Sequence, residues 1–104
     1  MTERISRLRT FLEQSPDDCF LNHALALEHI KLGQDDEAQR LFERNLSHDP
    51  QYVATYYHLG KLLERRGAAA EAAAVYEKGM QQAKAAGDQH AYRELQAAYE
   101  DLVY

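Results

Sequence analysis

YYHLGKLLERRGAAAEAAAVY, residues 56–76, decides the reading of this chain once it is laid over NHALALEHIKLGQDDEAQRLF, residues 22–42. At that offset of 34, the two stretches agree where backbone geometry is least forgiving. Gly33 falls on Gly67, Ala38 on Ala72, Phe42 on Tyr76, Leu25 on Leu59 and Ala26 on Gly60. The same shift carries Pro16 onto Pro50 and Glu43 onto Glu77, while Leu32 falls on Arg66. Most of the matches are small, aromatic or turn residues. The chain therefore contains an internal repeat, and a repeat of this length signals helical units that bury their apolar faces on one another.

Working outward, the punctuation divides the chain into helices. Pro occurs only at 16 and 50, each just ahead of a helical pattern, where its missing N–H does little harm. Asp17 and Asp18 supply carboxylates at the start of the next helix, where they suit free N–H groups and the dipole. Gly33 and Gly67 follow periodic segments, as a left-handed residue ending a helix does, and Asp35-Asp36-Glu37 opens another helix. The pattern predicts helices near 2–14, 18–32, 35–47, 52–66, 69–86 and 88–102. No stretch alternates with period two, so no strand is expected. The Ala68–Ala74 run, interrupted by Glu71, is read as helix former rather than low-complexity linker.

These residues resemble the tetratricopeptide repeat family, whose 34-residue unit is a pair of antiparallel helices, A and B. The second unit carries the family's slots at Tyr56, Leu59, Gly60, Gly67, Ala72 and Tyr76. The first carries Asn22, Leu25, Ala26, Gly33, Ala38, Phe42 and Pro50. The resemblance is good over 19–86 and is closest to short stand-alone bacterial members. It implies an all-α, right-handed superhelical stack of about six helices in a single domain. In that domain, 1–18 is a partial repeat helix, 19–52 and 53–86 are repeats, and 87–104 is a C-terminal capping helix. Three positions depart from the pattern. Asn22 sits in a bulky slot, Gly79 replaces a small alanine, and Lys84 stands where a closing Pro belongs. Without that Pro the helix is expected to run to Ala86 and stop at Gly87. Beyond it, Ala91, Leu95, Ala98, Tyr99 and Leu102 share one helix face.

Composition narrows the function. The net charge is −5, from 12 basic and 17 acidic residues, which works against binding a phosphate backbone. The basic trio Arg4, Arg7 and Arg9 is read as a solvated helix face, so no nucleic-acid partner is expected. One cysteine, Cys19, excludes an internal disulfide framework and fits a reducing, cytoplasmic setting. No apolar run reaches the roughly 20 residues a bilayer requires, and no apolar signal region follows the N-terminus, so no membrane role is expected.

No catalytic constellation stands out. A glycine-rich phosphate loop, Cys-x-x-Cys and His-Glu-x-x-His are all missing, so an enzyme and a cofactor are not expected. The five histidines, His23, His29, His48, His58 and His90, are read as polar groove or surface residues rather than metal ligands. Cys19, in the first turn of a helix but beside Asp17 and Asp18, is read as a buried or half-buried spacer.

The resemblance implies a protein-binding role, because the family's A helices line a concave surface that holds peptides, tails or a partner's helix. By slot, the first A helix would contribute Phe20, His23, Ala24, Leu27, Ile30 and Lys31. The second would contribute Ala54, Tyr57, His58, Lys61, Glu64 and Arg65. Tyr57, Lys61 and Arg65 recur every four residues, and an aromatic beside two cations suits an acidic or carboxylate-bearing peptide. The family's carboxylate clamp is not expected, since its positions here hold His23, Leu27 and His58. Helices of about 15 residues are roughly 22 Å long, so the groove is short and the interface belongs to the weak, transient class. The alternative reading is a self-associating scaffold assembling through its ends, with Phe11, Leu12 and Tyr104 as exposed apolar residues.

Overall fold

The computed structural model describes residues 2–104, with backbone alone at Thr2. Met1, counted in the expected partial helix 1–18, lies outside the described residues. Six helices follow in order: α1 (Thr2–Gln14), α2 (Cys19–Lys31), α3 (Asp35–His48), α4 (Val53–Arg65), α5 (Ala69–Ala86) and α6 (Gln89–Val103). Among the described residues there is no strand. The expected helix spans hold to within a residue at each end. Contacts divide the chain into two compact units, one ending at Asp49 and the other beginning at Pro50.

Three glycine turns end helices in the same way. Gly33, Gly67 and Gly87 have φ of 72°, 82° and 71°, a region that costs other residues a clash at Cβ. In each turn the following N–H reaches back five residues: Gln34 to the His29 carbonyl, Ala68 to Leu63 and Asp88 to Ala83, all at 2.9 Å. The glycine's own N–H reaches back three residues, to Ile30, Glu64 and Lys84 respectively. These paired bonds satisfy carbonyls that the helix end would orphan and fold the next helix back alongside its predecessor.

In the first unit α2 packs against both α1 and α3. Its face of Ala24, Leu25 and Ala26 is buried, as are Ala38, Leu41 and Phe42 of α3 and Leu8 of α1. Ala26, Ala38 and Phe42 have no solvent exposure at all, which is the close approach that small residues permit.

In the second unit α5 packs against α4 and α6, and α4 also touches α6. Here the small slots are glycines for a measurable reason. A Cβ on Gly60 would lie 2.2 Å from Cε1 of Tyr76, so the ring occupies the space a methyl needs. A Cβ on Gly79 would lie 2.6 Å from Tyr56 Cβ and 3.1 Å from Leu95 Cδ1. The departure at Gly79 is therefore compensation for the bulk of Tyr56. The equivalent slots of the first unit hold Asn22 and Asn45, which are intermediate in size and both buried. α6 buries Leu95 and Ala98 and half-buries Ala91, Tyr99 and Leu102, the face the spacing predicted. No described helix is long and apolar enough to cross a membrane.

Candidate functional site

The site is built on α2, whose two ends are fixed by side chains. At its start the Asp18 carboxylate accepts the Leu21 N–H at 2.9 Å, a normal N-cap. One turn in, the Asn22 amide donates to the carbonyls of Pro16 at 3.0 Å and Asp18 at 2.9 Å. At the far end His29 Nδ1 and the Gln34 side-chain amide meet at 2.6 Å, joining the last turn of the helix to the glycine turn that follows.

Between these anchors, Phe20, His23, Ala24, Leu27, Ile30 and Lys31 line a single concavity of about 420 Å³ with Arg4 and Glu28. The six residues assigned to the first A helix by slot thus share one wall. Phe20 is 66% exposed, while Leu27 and Ile30 are half-buried, giving an apolar floor open to solvent. His23 contributes an edge, but its ring packs tilted against Phe42, 5.5 Å between centroids.

Arg4 and Glu28 were not legible as site residues. Glu28 is buried, and its carboxylate accepts from Lys31 Nζ at 3.0 Å and from Arg4 Nε at 3.2 Å. The Lys31 hydrogen bond holds its carboxyl below the usual carboxylate range, against the opposing effect of burial, with the charges of Lys31 and Arg4 adding to it. One carboxylate between two largely exposed cations leaves this rim with an excess positive charge. Arg4 is therefore not only a solvated residue, as the sequence suggested, but a tie from α1 to α2. The i, i+3 spacing of Glu28 and Lys31 was a readable signal; the α1 partner, 24 residues away, was not.

The residues assigned to the second A helix form a separate strip on α4. Lys61 Nζ sits 5.7 Å above the Tyr57 ring centroid and 3.9 Å from Glu64. The Tyr57 and His58 rings meet edge to face at 5.6 Å. Glu64 also accepts the Tyr76 hydroxyl, which burial and this carboxylate push far above the ordinary phenol range. Glu64 is thus engaged in the core of its unit, whereas Lys61 and Arg65 are exposed at the surface. His58 is half-buried, and burial lowers its pKa, partly offset by Glu94.

Two of the five histidines are largely buried, His23 while still lining the α2 groove. His23 is 8% exposed and His29 4%, because α2 is covered on two sides, by α1 and by α3. His48 and His90 are exposed. Among the described residues no three His, Cys, Asp or Glu side chains converge as metal ligands would. Cys19 is half-buried, its sulfur 3.9 Å from the Asp17 carbonyl and from Asp49 Oδ2. Burial raises its pKa first, and Asp49, Asp18 and Asp17 raise it further. Of the apolar residues expected at the ends, Phe11 and Tyr104 are exposed and Leu12 is half-buried.

No protein-family model matches the chain. A tetratricopeptide repeat-containing protein of Pseudomonas aeruginosa is 29% identical over 91 residues, 88% of this chain and 87% of that protein. The solution structure of a tetratricopeptide repeat domain protein from Salinibacter ruber superposes with a TM-score of 0.82 at 42% identity. The match covers 85% of this chain and 89% of that one. A solved protein from Bordetella parapertussis gives a TM-score of 0.80 at 32% identity, covering 94% and 85% of the two chains.

Proposed function

The chain belongs to the tetratricopeptide repeat family, whose members are generally protein-interaction modules, and we propose that its working surface is the α2 groove, which receives a peptide or helical segment of a partner protein. The observation that carries this reading is the shared concavity of Phe20, Leu27, Ile30 and Lys31. An exposed aromatic and two aliphatics give an apolar floor, and Arg4 and Lys31 give it a cationic rim. That combination favours a ligand with apolar anchors next to carboxylates, by burial for affinity and by charge for orientation. The Tyr57–Lys61 pair on α4, with Arg65 extending the row, has similar chemistry and is a separate candidate surface of the other unit. Residues 19–52 and 53–86 are taken as the two repeats that present these helices. The groove is small, so the affinity belongs to the weak class.

Selection from a random peptide library tests the reading. Parent protein is compared with a Phe20→Ser/Leu27→Ser variant and with a Tyr57→Ala/Lys61→Ala/Arg65→Ala variant. A motif enriched by the parent and ignored by the folded first variant supports the α2 groove. Equal enrichment by the parent and that variant refutes it, and loss in the second variant alone moves the site to α4.

A further inference from the structure

Among the described residues the exposed large apolar side chains are Phe11, Phe20, Val103 and Tyr104. Phe20 belongs to the groove, and Val103 and Tyr104 sit together at the last turn of α6. Tyr104 is 96% exposed and caps the helix, its N–H donating to the Glu100 carbonyl at 3.0 Å. That bond places Glu100 and Tyr104 on one side of the turn, four residues apart, with exposed Asp101 beside them. One helical turn therefore presents an aromatic, a valine and two carboxylates to solvent. The α2 groove presents the complement: an exposed aromatic, two half-buried aliphatics and two cations sharing a single carboxylate.

We propose that the occupant of the α2 groove is a second copy of this chain, inserting residues 100–104. Val103 and Tyr104 cover Phe20, Leu27 and Ile30, while Glu100 and Asp101 face Arg4 and Lys31. This rests on the groove being the working surface, as proposed above, and adds the identity of the ligand. Charge complementarity selects the segment. Although the chain as a whole carries −5, the groove rim keeps a local positive excess. The contact joins unlike surfaces, so each copy retains a free groove or a free turn, and assembly proceeds beyond a dimer unless a ring closes.

The test is sedimentation of the full chain from about 10 µM to about 1 mM, with two charge-reversed variants, Lys31→Glu and Asp101→Lys. Both positions are exposed, and a cooperative thermal melt confirms that the variants fold, at a lower temperature for Lys31→Glu because Glu28 loses a cationic partner. The parent is expected to gain mass with concentration and to lose at least about threefold in association constant in high salt. Each variant alone is expected to associate at least about fivefold more weakly, through like charges facing each other. Their equimolar mixture is expected to recover parent-like assembly, because the reversed groove meets the reversed turn. A parent that stays monomeric throughout overturns the proposal, as does assembly that neither variant weakens or that the mixture fails to restore. If the monomeric parent still enriches groove-dependent library peptides, only the identity of the ligand falls; if it enriches none, the groove reading falls with it.

Discussion

Asn22 and Tyr56, 34 residues apart, do the same job with different chemistry. The Asn22 amide donates to the Pro16 carbonyl at 3.0 Å, and the Tyr56 hydroxyl donates to the Pro50 carbonyl at 2.5 Å. Each bond spans six residues and ties the first turn of an A helix to the proline turn before it. The slot's requirement is a donor that reaches that carbonyl, and the bulk of a tyrosine is one way of providing it.

Tyr56→Phe should therefore keep the packing and lose the tie, costing about 0.5–1.5 kcal/mol. Asn22→Ala loses two bonds from a buried amide and should cost more, about 1–3 kcal/mol. Denaturant unfolding of the two variants checks both values. Equal stability with the parent would mean that the proline turns hold without these bonds.

Gly60→Ala pits helix propensity against packing. Alanine would gain about 1 kcal/mol as the better helix former. Its Cβ would meet the Tyr76 ring at 2.2 Å, and that ring is fully buried and held by Glu64. Overpacking wins, with a net loss of about 1–3 kcal/mol, and Gly60→Leu should be worse. Adding Tyr76→Leu to Gly60→Ala should recover part of the loss, which thermal melting would show.

Stability should fall on acidification in two separate steps. His58 binds its proton less readily folded than unfolded. The unfolded chain therefore takes up more protons as pH drops through 6.5, and stability is lost there. Glu28 has the opposite charge type. Its contribution is complete above 4.5 and is lost as pH falls through its lowered folded value. His58→Gln should flatten the melting profile between about pH 7.5 and 5.5 and leave the acid step in place, whereas Glu28→Gln should reduce only the lower step, to which Glu37, held low by its Arg40 hydrogen bond, also contributes.

Cys19 should alkylate more slowly than a free thiol. Burial and three nearby aspartates favour the protonated form, and only the thiolate reacts. At pH 7.5 its rate with iodoacetamide should be lower than that of glutathione, and Asp49→Asn should raise it.

The fold was legible because helical repeats are written in residues with few substitutes. Gly33 and Gly67 need positive φ, and Ala38 and Ala72 need closeness, so spacing alone located them. The helix boundaries followed from the same punctuation. Asn22 and Gly79 read as departures because a slot pattern records size at one position. Here the pair Tyr56–Gly79 trades volume between two helices, and Asn22 replaces bulk with hydrogen bonds. The burial of His23 and His29 was hidden for a related reason. α2 carries no single apolar stripe, since it is covered by α1 as well as α3, and that shows only once all three helices are placed. Arg4 entered the groove through a contact 24 residues away, which no local pattern encodes.

The most direct test of the α2 groove is a titration of isotope-labelled chain with a library-enriched peptide, followed by amide chemical shifts. Perturbations should concentrate on residues 20–31, with Arg4 responding from α1 and with Leu27→Ser abolishing them. Perturbations concentrated on α5 or α6, with residues 20–31 silent, would contradict the assignment of this groove as the binding surface.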